Sequence, residues 1–149
     1  MGHTFSNLLV HIVFSVKERK NYIYKEISEL LYAYIAGIVK NENCQIIAIG
    51  GRENHIHIFM RIHPSICISE IARKLKSNSS KWLKEEKGLN LFSWQPGYAC
   101  FSVSESRKES VIKYIKNQEA HHRRTCYADE LKEFLRKHNI NFDEQYYLD

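Results

Sequence analysis

Two histidines stand one residue apart in the segment HIHIFMRI, which otherwise consists mainly of apolar residues. Side chains alternate across a β-strand, so His55 and His57 would project from the same face if this segment is a strand. Two neutral imidazoles in that arrangement can bind one divalent metal ion, but they leave its coordination sphere incomplete. The pair is equally consistent with two half-buried histidines that hydrogen-bond to their neighbours, so a metal site needs further donors.

A second candidate pair lies in the segment SVIKYIKNQEAHH. Tyr114 and Gln118 are four residues apart, a spacing that places both side chains on one face of a helix. A glutamine oxygen can bind Mg²⁺ or Mn²⁺, and a tyrosine hydroxyl can act as a covalent nucleophile. The alternative is a tyrosine at a packing interface beside a solvated glutamine.

The hydrophobic pattern predicts the elements that must position these residues. The predicted strands are 7–16, 44–50, 55–62 and 98–104, and the predicted helices are about 23–40, 69–85, 105–122 and 129–137. The order β-α-β-β-α-β is that of an α+β, ferredoxin-like fold, whose antiparallel sheet has its first and third strands in the middle. The helix that carries Tyr114 is then an addition to that fold. On the third strand we expect the isoleucines to pack against helices and the histidines to occupy the opposite face.

The length and composition indicate one soluble domain spanning residues 1–149. No segment has the length of a membrane span and no signal peptide is evident, so we expect a cytoplasmic protein. The four cysteines are widely separated and are assigned no chemical role. The net charge is +5, but residues 127–149 contain six acids and three bases, so residues 1–126 carry +8. This basic region is a candidate polyanion-binding surface or simply a solvated basic surface.

Several segments in order resemble the single-tyrosine HUH transposases of small bacterial insertion sequences, the IS200-like family. They are LLVHIVFSVKERK, GGRENHIHIFMRI, WQPGYACFSVS and YIKNQEAHH, and the likeness extends from about Asn7 to the tail. His55-Ile56-His57 matches the histidine-hydrophobic-histidine motif that gives the family its name. Several matching segments are far more specific than the motif alone.

The resemblance implies a metal-dependent transposase that cleaves and rejoins single-stranded DNA through a 5′-phosphotyrosine intermediate. His55 and His57 match the family's two histidine ligands, Gln118 its third ligand and Tyr114 its nucleophile. The implied cofactor is Mg²⁺ or Mn²⁺, and the implied DNA partner is a single strand with a subterminal hairpin. The resemblance also implies a homodimer, in which the catalytic helix can serve the histidines of its own chain or those of its partner.

Basic residues along the chain are candidates for contact with DNA phosphates, although each is also explained as a solvated side chain. They are Lys17, Arg19, Lys20, Arg52, Arg73, Lys74, Lys76, Lys81, Arg123 and Arg124. Phe92, Trp94 and Tyr98 are candidates for stacking on bases, or core aromatics. Glu53 is interpreted either as an acid that orients a histidine or as an exposed acid of a hairpin.

Two other functions are consistent with part of this pattern. A domesticated relative that binds single-stranded or hairpin DNA without transposing it would keep the fold, but all four candidate site residues are present. A metal-dependent hydrolase of small molecules would use the histidines but would not need a basic surface. A strand-transfer product would distinguish the transposase from both.

Overall fold

A computed structural model describes residues 2–118, 120 and 125–149 of the chain. Its sheet contains β1 (Leu8–Ser15), β2 (Gln45–Arg52), β3 (His55–Ile62) and β4 (Ala99–Val103). The strands are antiparallel in the order β2-β3-β1-β4, which confirms that the first and third strands are central. The α+β, ferredoxin-like prediction is therefore confirmed.

Four α-helices accompany this sheet in the described part of the chain. They are α1 (Lys25–Asn41), α2 (Ile68–Lys87), α3 (Lys108–Lys116) and α4 (Tyr127–Lys137). The sequence predicts that the third helix begins at Glu105. In the structure, residues Glu105–Arg107 form a 3₁₀ turn and the α-helix begins at Lys108. It ends at Lys116 because Asn117 leaves helical geometry, and asparagine is a weak helix former. None of the described helices is long and apolar enough to span a membrane.

One face of the sheet carries the main apolar core. Ile56, Ile58 and Met60 on β3 are fully buried there, together with Phe14 on β1. They pack against α1 and α2, whose buried residues include Leu31 and Leu75 in the same cluster. The alternation predicted for β3 is therefore observed, with its isoleucines facing α1 and α2.

The opposite face of the sheet, which carries the histidines, is covered by the two C-terminal helices. Ile115 of α3 packs with Phe59 and Ala48, whereas Tyr127 and Leu131 of α4 belong to a separate apolar cluster with β1 and β4. The sheet is thus enclosed on both faces. His55 and His57 are buried between its surface and α3 and α4, which a two-layer ferredoxin-like fold would not require.

Gly50 allows α3 to approach the sheet closely. It pairs with His57 across β2 and β3, and a Cβ atom at position 50 would lie 2.7 Å from the carbonyl oxygen of Ile115. That oxygen belongs to the backbone of the helix, so a side-chain rotation cannot relieve the clash. The missing Cβ of Gly50 therefore sets how near Tyr114 comes to the histidines.

We predict that Gly50→Ala lowers the free energy of unfolding by about 1–3 kcal/mol, the usual cost of overpacking, because α3 must shift. The matched control is Gly37→Ala on α1, where an added Cβ meets nothing within 4 Å. This change should raise stability by about 0.5–1 kcal/mol, the helix preference of alanine over glycine. Chemical denaturation measures both, and equal shifts in the two variants would contradict the prediction.

Candidate metal and nucleophile site

His55 and His57 lie on the same face of β3 and are completely buried. Their Nε2 atoms point at one carboxylate oxygen, Glu130 Oε1, at distances of 3.5 Å and 2.9 Å. The strand supplies the spacing of the two rings, and α4 supplies the carboxylate. The two histidines therefore form part of one site, and they are not merely two core residues with separate partners.

Glu130 connects the histidines to the predicted nucleophile. Its second oxygen, Oε2, accepts a short hydrogen bond from the hydroxyl of Tyr114 and another, of 3.3 Å, from Nε2 of Gln118. The residue is only 3% exposed. One buried carboxylate thus faces the histidine nitrogens with one oxygen and a tyrosine hydroxyl with the other.

Gln118 remains beside Tyr114 although the helix is interrupted at Asn117. Its Oε1 lies 3.1 Å from Nε2 of His55, and its Nε2 is 3.4 Å from the backbone oxygen of Tyr114. The side chain is buried. The structure therefore brings together all four residues that the sequence singled out, and it does so within one chain.

The outer nitrogens of both histidines also have polar partners. Nδ1 of His57 lies 2.8 Å from Nε2 of the buried His11 on β1, and Nδ1 of His55 lies 2.8 Å from Oδ1 of Asn54. Tyr127 stacks on the His55 ring with a centroid distance of 4.6 Å. These contacts fix the planes of both imidazoles, as is usual for metal-binding histidines.

The donor set suits a divalent cation. His55, His57 and Glu130 each offer a ligand atom, and these atoms lie within 4.8 Å of one another. Two imidazole nitrogens and a carboxylate oxygen are common ligands of divalent transition metals, and an added amide oxygen from Gln118 suits Mg²⁺ or Mn²⁺. The convergence of these donors on one buried point shows that the residues fit such an ion.

The surroundings of Tyr114 oppose its ionisation. Burial raises the pKa of its hydroxyl well above the ordinary value, and the negative charge and hydrogen bond of Glu130 raise that pKa further. The hydrogen bond of Gln118 acts in the opposite direction but is the smallest of these effects. Tyr114 is therefore protonated at neutral pH, and Glu130 accepts its hydrogen bond.

Glu130 and His11 are the site residues that sequence reasoning missed. Glu130 had a detectable signal, because it lies on the apolar stripe of α4 defined by Tyr127, Leu131 and Leu135, where an acid is out of place. His11 likewise lies within the apolar segment NLLVHIVFSV. Either residue could have been identified as a buried polar group that requires a partner.

Glu53 does not take part in the described contacts of the histidines. Its carboxylate pairs with Arg52 at 3.3 Å, at the turn between β2 and β3. Its backbone oxygen accepts hydrogen bonds from Tyr22 and Ile23. These contacts correspond to the interpretation of Glu53 as a hairpin acid.

The candidate DNA-binding residues fall into two groups. Lys17, Arg19, Lys20 and Arg52 lie at the end of the sheet where His55 begins β3, because the chain after β1 is hydrogen-bonded to the β2–β3 turn. The second group lies on α2, which covers the opposite face of the sheet, and consists of Arg73, Lys74, Lys76 and Lys81. Arg123 and Arg124 lie outside the described residues.

Several of these cations already have protein partners. Lys74 pairs with Glu42, and Arg73 pairs with Glu70. Lys76 donates hydrogen bonds to the backbone oxygens of Pro96 and Gly97. Pairing does not separate the two groups, because Arg52 pairs with Glu53 and Lys20 pairs with Glu18 in the first group. Position does: the first group lies at the end of the sheet where His55 begins β3, whereas the second lies on the helix across the sheet.

The aromatic candidates are not equally accessible. Phe92 and Trp94 are 1% and 6% exposed and belong to the main core, so the interpretation of these two residues as core aromatics is the one observed. Their loop enters the space beside Phe14, which periodicity alone does not reveal. Tyr98 is 39% exposed and retains a surface that a base could contact.

Comparison with known proteins is consistent with this geometry. The family described as "Transposase IS200 like" matches residues 4–118, which include both histidines, Tyr114 and Gln118. The chain belongs to this family. The IS200-like transposase described here is 27% identical over 116 residues to the ISDra2 transposase TnpA of Deinococcus radiodurans, covering 72% of this chain and 81% of the relative. It is 28% identical over 124 residues to the IS200 transposase of Salmonella typhimurium, covering 79% and 81% respectively.

Solved structures share the fold of this IS200-like transposase. A transposase crystal structure from Deinococcus radiodurans matches with a TM-score of 0.61 and 21% identity, covering 79% of this chain and 96% of that one. A REP-associated tyrosine transposase bound to a REP hairpin matches with a TM-score of 0.62 and 14% identity, covering 82% and 72%. At these identities the likeness shows the fold alone.

Removing the charge of Glu130 tests whether this carboxylate helps to bind a cation. We predict that Glu130→Gln weakens Mn²⁺ binding by about one to two orders of magnitude. Glu130 is the carboxylate among the four candidate donors His55, His57, Gln118 and Glu130, and the variant replaces it with a neutral amide. Loss of a residue that only hydrogen-bonds to a metal ligand already weakens binding by about that much. The EPR signal of unbound Mn²⁺ gives the dissociation constant. Glu53→Gln makes the same chemical change at the hairpin and should bind as the wild type does. Equal affinities for wild type and Glu130→Gln would exclude Glu130 from the cation site.

Proposed function

We propose that this IS200-like transposase cleaves and rejoins single-stranded DNA through a covalent bond between Tyr114 and a 5′-phosphate. The observation that carries the proposal is the position of the Tyr114 hydroxyl, which donates to the same carboxylate that contacts both histidines. A nucleophile and a cation-binding group are thereby held next to each other on rigid elements. Phosphoryl transfer needs both close to the scissile phosphate.

The proposed chemistry has two balanced steps. The oxygen of Tyr114 bonds to phosphorus, the bond from phosphorus to the 3′-oxygen breaks, and the phenol proton passes to Oε2 of Glu130. The departing 3′-oxygen takes a proton from water. A second DNA 3′-hydroxyl then attacks the phosphotyrosine and gives its proton to the hydroxide left by that water. The bond from phosphorus to the tyrosine oxygen breaks, and this oxygen recovers its proton from Glu130. The phosphotyrosine retains a reactive phosphodiester, so rejoining needs no ATP.

His55, His57, Gln118 and Glu130 would hold the divalent cation, Mg²⁺ or Mn²⁺, whose charge would stabilise the non-bridging phosphate oxygens. The protein's own contribution is orientation: β3 spaces the imidazoles, and the outer hydrogen bonds of His55 and His57 fix their planes. The remaining ligand positions would be available to the substrate phosphate.

We propose a single strand with a subterminal hairpin as the substrate. The basic group Lys17, Arg19, Lys20 and Arg52 lies at the end of the sheet that leads to His55, where a nucleic acid backbone would be attracted. A structural neighbour of this chain is bound to a REP hairpin. The basic group supports backbone contact near the site, and the neighbour supports a hairpin as its partner.

We also propose a homodimer in which each active site is complete within one chain. Each chain has one Tyr114 and can hold one DNA end covalently, so two chains are needed to process both ends of an element together. In the structure Tyr114 contacts Glu130, and Glu130 contacts His57 of the same chain. This contact favours action of the tyrosine on its own histidines.

Mixing two inactive variants tests the assignment of the site to one chain. We predict that His57→Ala and Tyr114→Phe proteins remain inactive together, because neither chain has a complete site. Differently tagged chains, co-purified as a heterodimer, establish that the subunits have mixed. The positive control mixes wild type with a chain carrying both substitutions and should retain adduct formation. Recovery of adduct in the first mixture would show that subunits share their sites, and a purely monomeric protein would contradict the dimer.

Removal of one oxygen atom tests the nucleophile. We predict that Tyr114→Phe abolishes the covalent protein-DNA adduct while preserving the fold, because the ring remains and only the attacking atom is lost. The assay uses a single-stranded oligonucleotide with a hairpin and a single-stranded flank, Mn²⁺ or Mg²⁺, and a denaturing gel. Wild type should yield an adduct on the 3′-side fragment and a free 3′-hydroxyl on the other.

Tyr127→Phe is the matched control, because Tyr127 also lies against a site histidine but its hydroxyl donates to Oε1 of Gln95. It should still form the adduct. An adduct in Tyr114→Phe would assign the nucleophile to another residue. Cleavage by wild type without any adduct would indicate hydrolysis by water, and binding without cleavage would indicate the non-transposing relative.

A further inference from the structure

His11 makes a contact that the proposed chemistry does not use. It lies on β1 and is 2% exposed, and its Nε2 is 2.8 Å from Nδ1 of His57. The ring makes edge-type contacts with Phe101 of β4 and Phe134 of α4, which pack in the apolar cluster between that helix and the sheet. His11 is therefore enclosed, and its described polar contact is with Nδ1 of His57, the ring nitrogen that does not contact Glu130.

Two ring nitrogens at this distance can share only one hydrogen atom. One ring must donate and the other must accept, and a neutral imidazole can do either, according to its tautomer. The role of His57 is determined at its other nitrogen, Nε2, which lies 2.9 Å from Oε1 of Glu130. Whatever binds Nε2 of His57, Glu130 or a cation, therefore determines which ring donates in the hydrogen bond between His57 and His11.

In the metal-free chain the carboxylate requires a donor, so a neutral His57 carries its proton on Nε2. Its Nδ1 is then an acceptor, and Nε2–H of His11 must donate to it. When Nε2 of His57 binds a cation, that nitrogen must offer its lone pair and the ring proton moves to Nδ1. The same nitrogen of His11 must then accept. For two neutral rings this reversal moves a proton between the two nitrogens of each ring and leaves the charge of each ring unchanged.

We propose that His11 is a positioning residue that keeps the His57 ring in one orientation by reversing their shared hydrogen bond when the cation binds. This rests on the proposed function, because it requires a cation at Nε2 of His57. A backbone carbonyl could only accept and a lysine could only donate, so either would leave a buried group unpaired in one of the two states. The Nε2 atom of an imidazole can donate in one state and accept in the other.

Mn²⁺ affinity measured by EPR gives the first test. His11→Phe has a ring of similar shape without nitrogens and should weaken binding about 10- to 100-fold, the usual cost of losing such a partner. His11→Gln offers both a donor and an acceptor and should keep most of the affinity. His138→Phe is the matched control: His138 stacks on Phe101 in the same aromatic group and makes no hydrogen bond to His57 among the described residues. It should bind as wild type does.

Wild-type affinity in a folded His11→Phe protein would overturn the proposal, as would an equal loss in His138→Phe. The second test needs no variant. Long-range ¹H–¹⁵N correlations on histidine-labelled wild type report which nitrogen of His57 carries the proton. We expect Nε2 in EDTA and Nδ1 with Zn²⁺, used as a diamagnetic ion. The same tautomer in both conditions would overturn the reversal even if His11→Phe does not fold.

The two tests separate this inference from the proposed function. If wild type binds neither Mn²⁺ nor Zn²⁺, the cation site itself is wrong, and the role of His11 is overturned with it. If wild type binds both ions but His11→Phe binds Mn²⁺ equally well, the cation site stands and only the role of His11 is overturned.

Discussion

The site depends on one buried carboxylate. Burial of a carboxylate costs free energy unless partners compensate it, and among the described contacts of Glu130 are both histidines, Gln118 and Tyr114. These contacts hold α4 against the histidine face of the sheet. The C-terminal helix therefore contributes to the candidate site and also covers the apolar surface beside it.

The sheet makes this convergence possible through register. In the antiparallel pairing of β1 with β3, His11 is opposite Phe59, and His57 is the diagonal neighbour two residues away. Diagonal neighbours on one face remain within reach of long side chains, which is why the two imidazoles meet at 2.8 Å. A shift of one residue in this pairing would place the histidines in the main core. The apolar row of Ile56, Ile58 and Met60 opposes that shift, so packing on one face maintains the chemistry on the other.

The sequence predicted what local periodicity can encode. Alternation on β3 separated the histidines from the isoleucines, and the four-residue spacing of Tyr114 and Gln118 placed them together even though the helix ends between them at Asn117. Local periodicity does not show which other helix or strand a given helix or strand packs against. The pattern of α4 predicts a helix with a buried stripe, but it does not reveal that Glu130 on that stripe meets His57 from a strand more than seventy residues earlier. The same limit explains Trp94, whose loop enters the core beside Phe14 without any periodic signal.

The contact between Tyr114 and Glu130 also relates the tyrosine to the proposed cation. Burial and the negative charge of Glu130 both raise the pKa of the Tyr114 hydroxyl, so Tyr114 is held as a neutral phenol. A cation held by the proposed site beside Oε1 of Glu130 would offset the charge that disfavours ionisation at Oε2, since the two oxygens belong to one carboxylate. Under the proposed function, cation binding would thus lower the pKa of Tyr114 through Glu130 and make its hydroxyl more reactive, whereas Tyr114 would stay protonated without the cation.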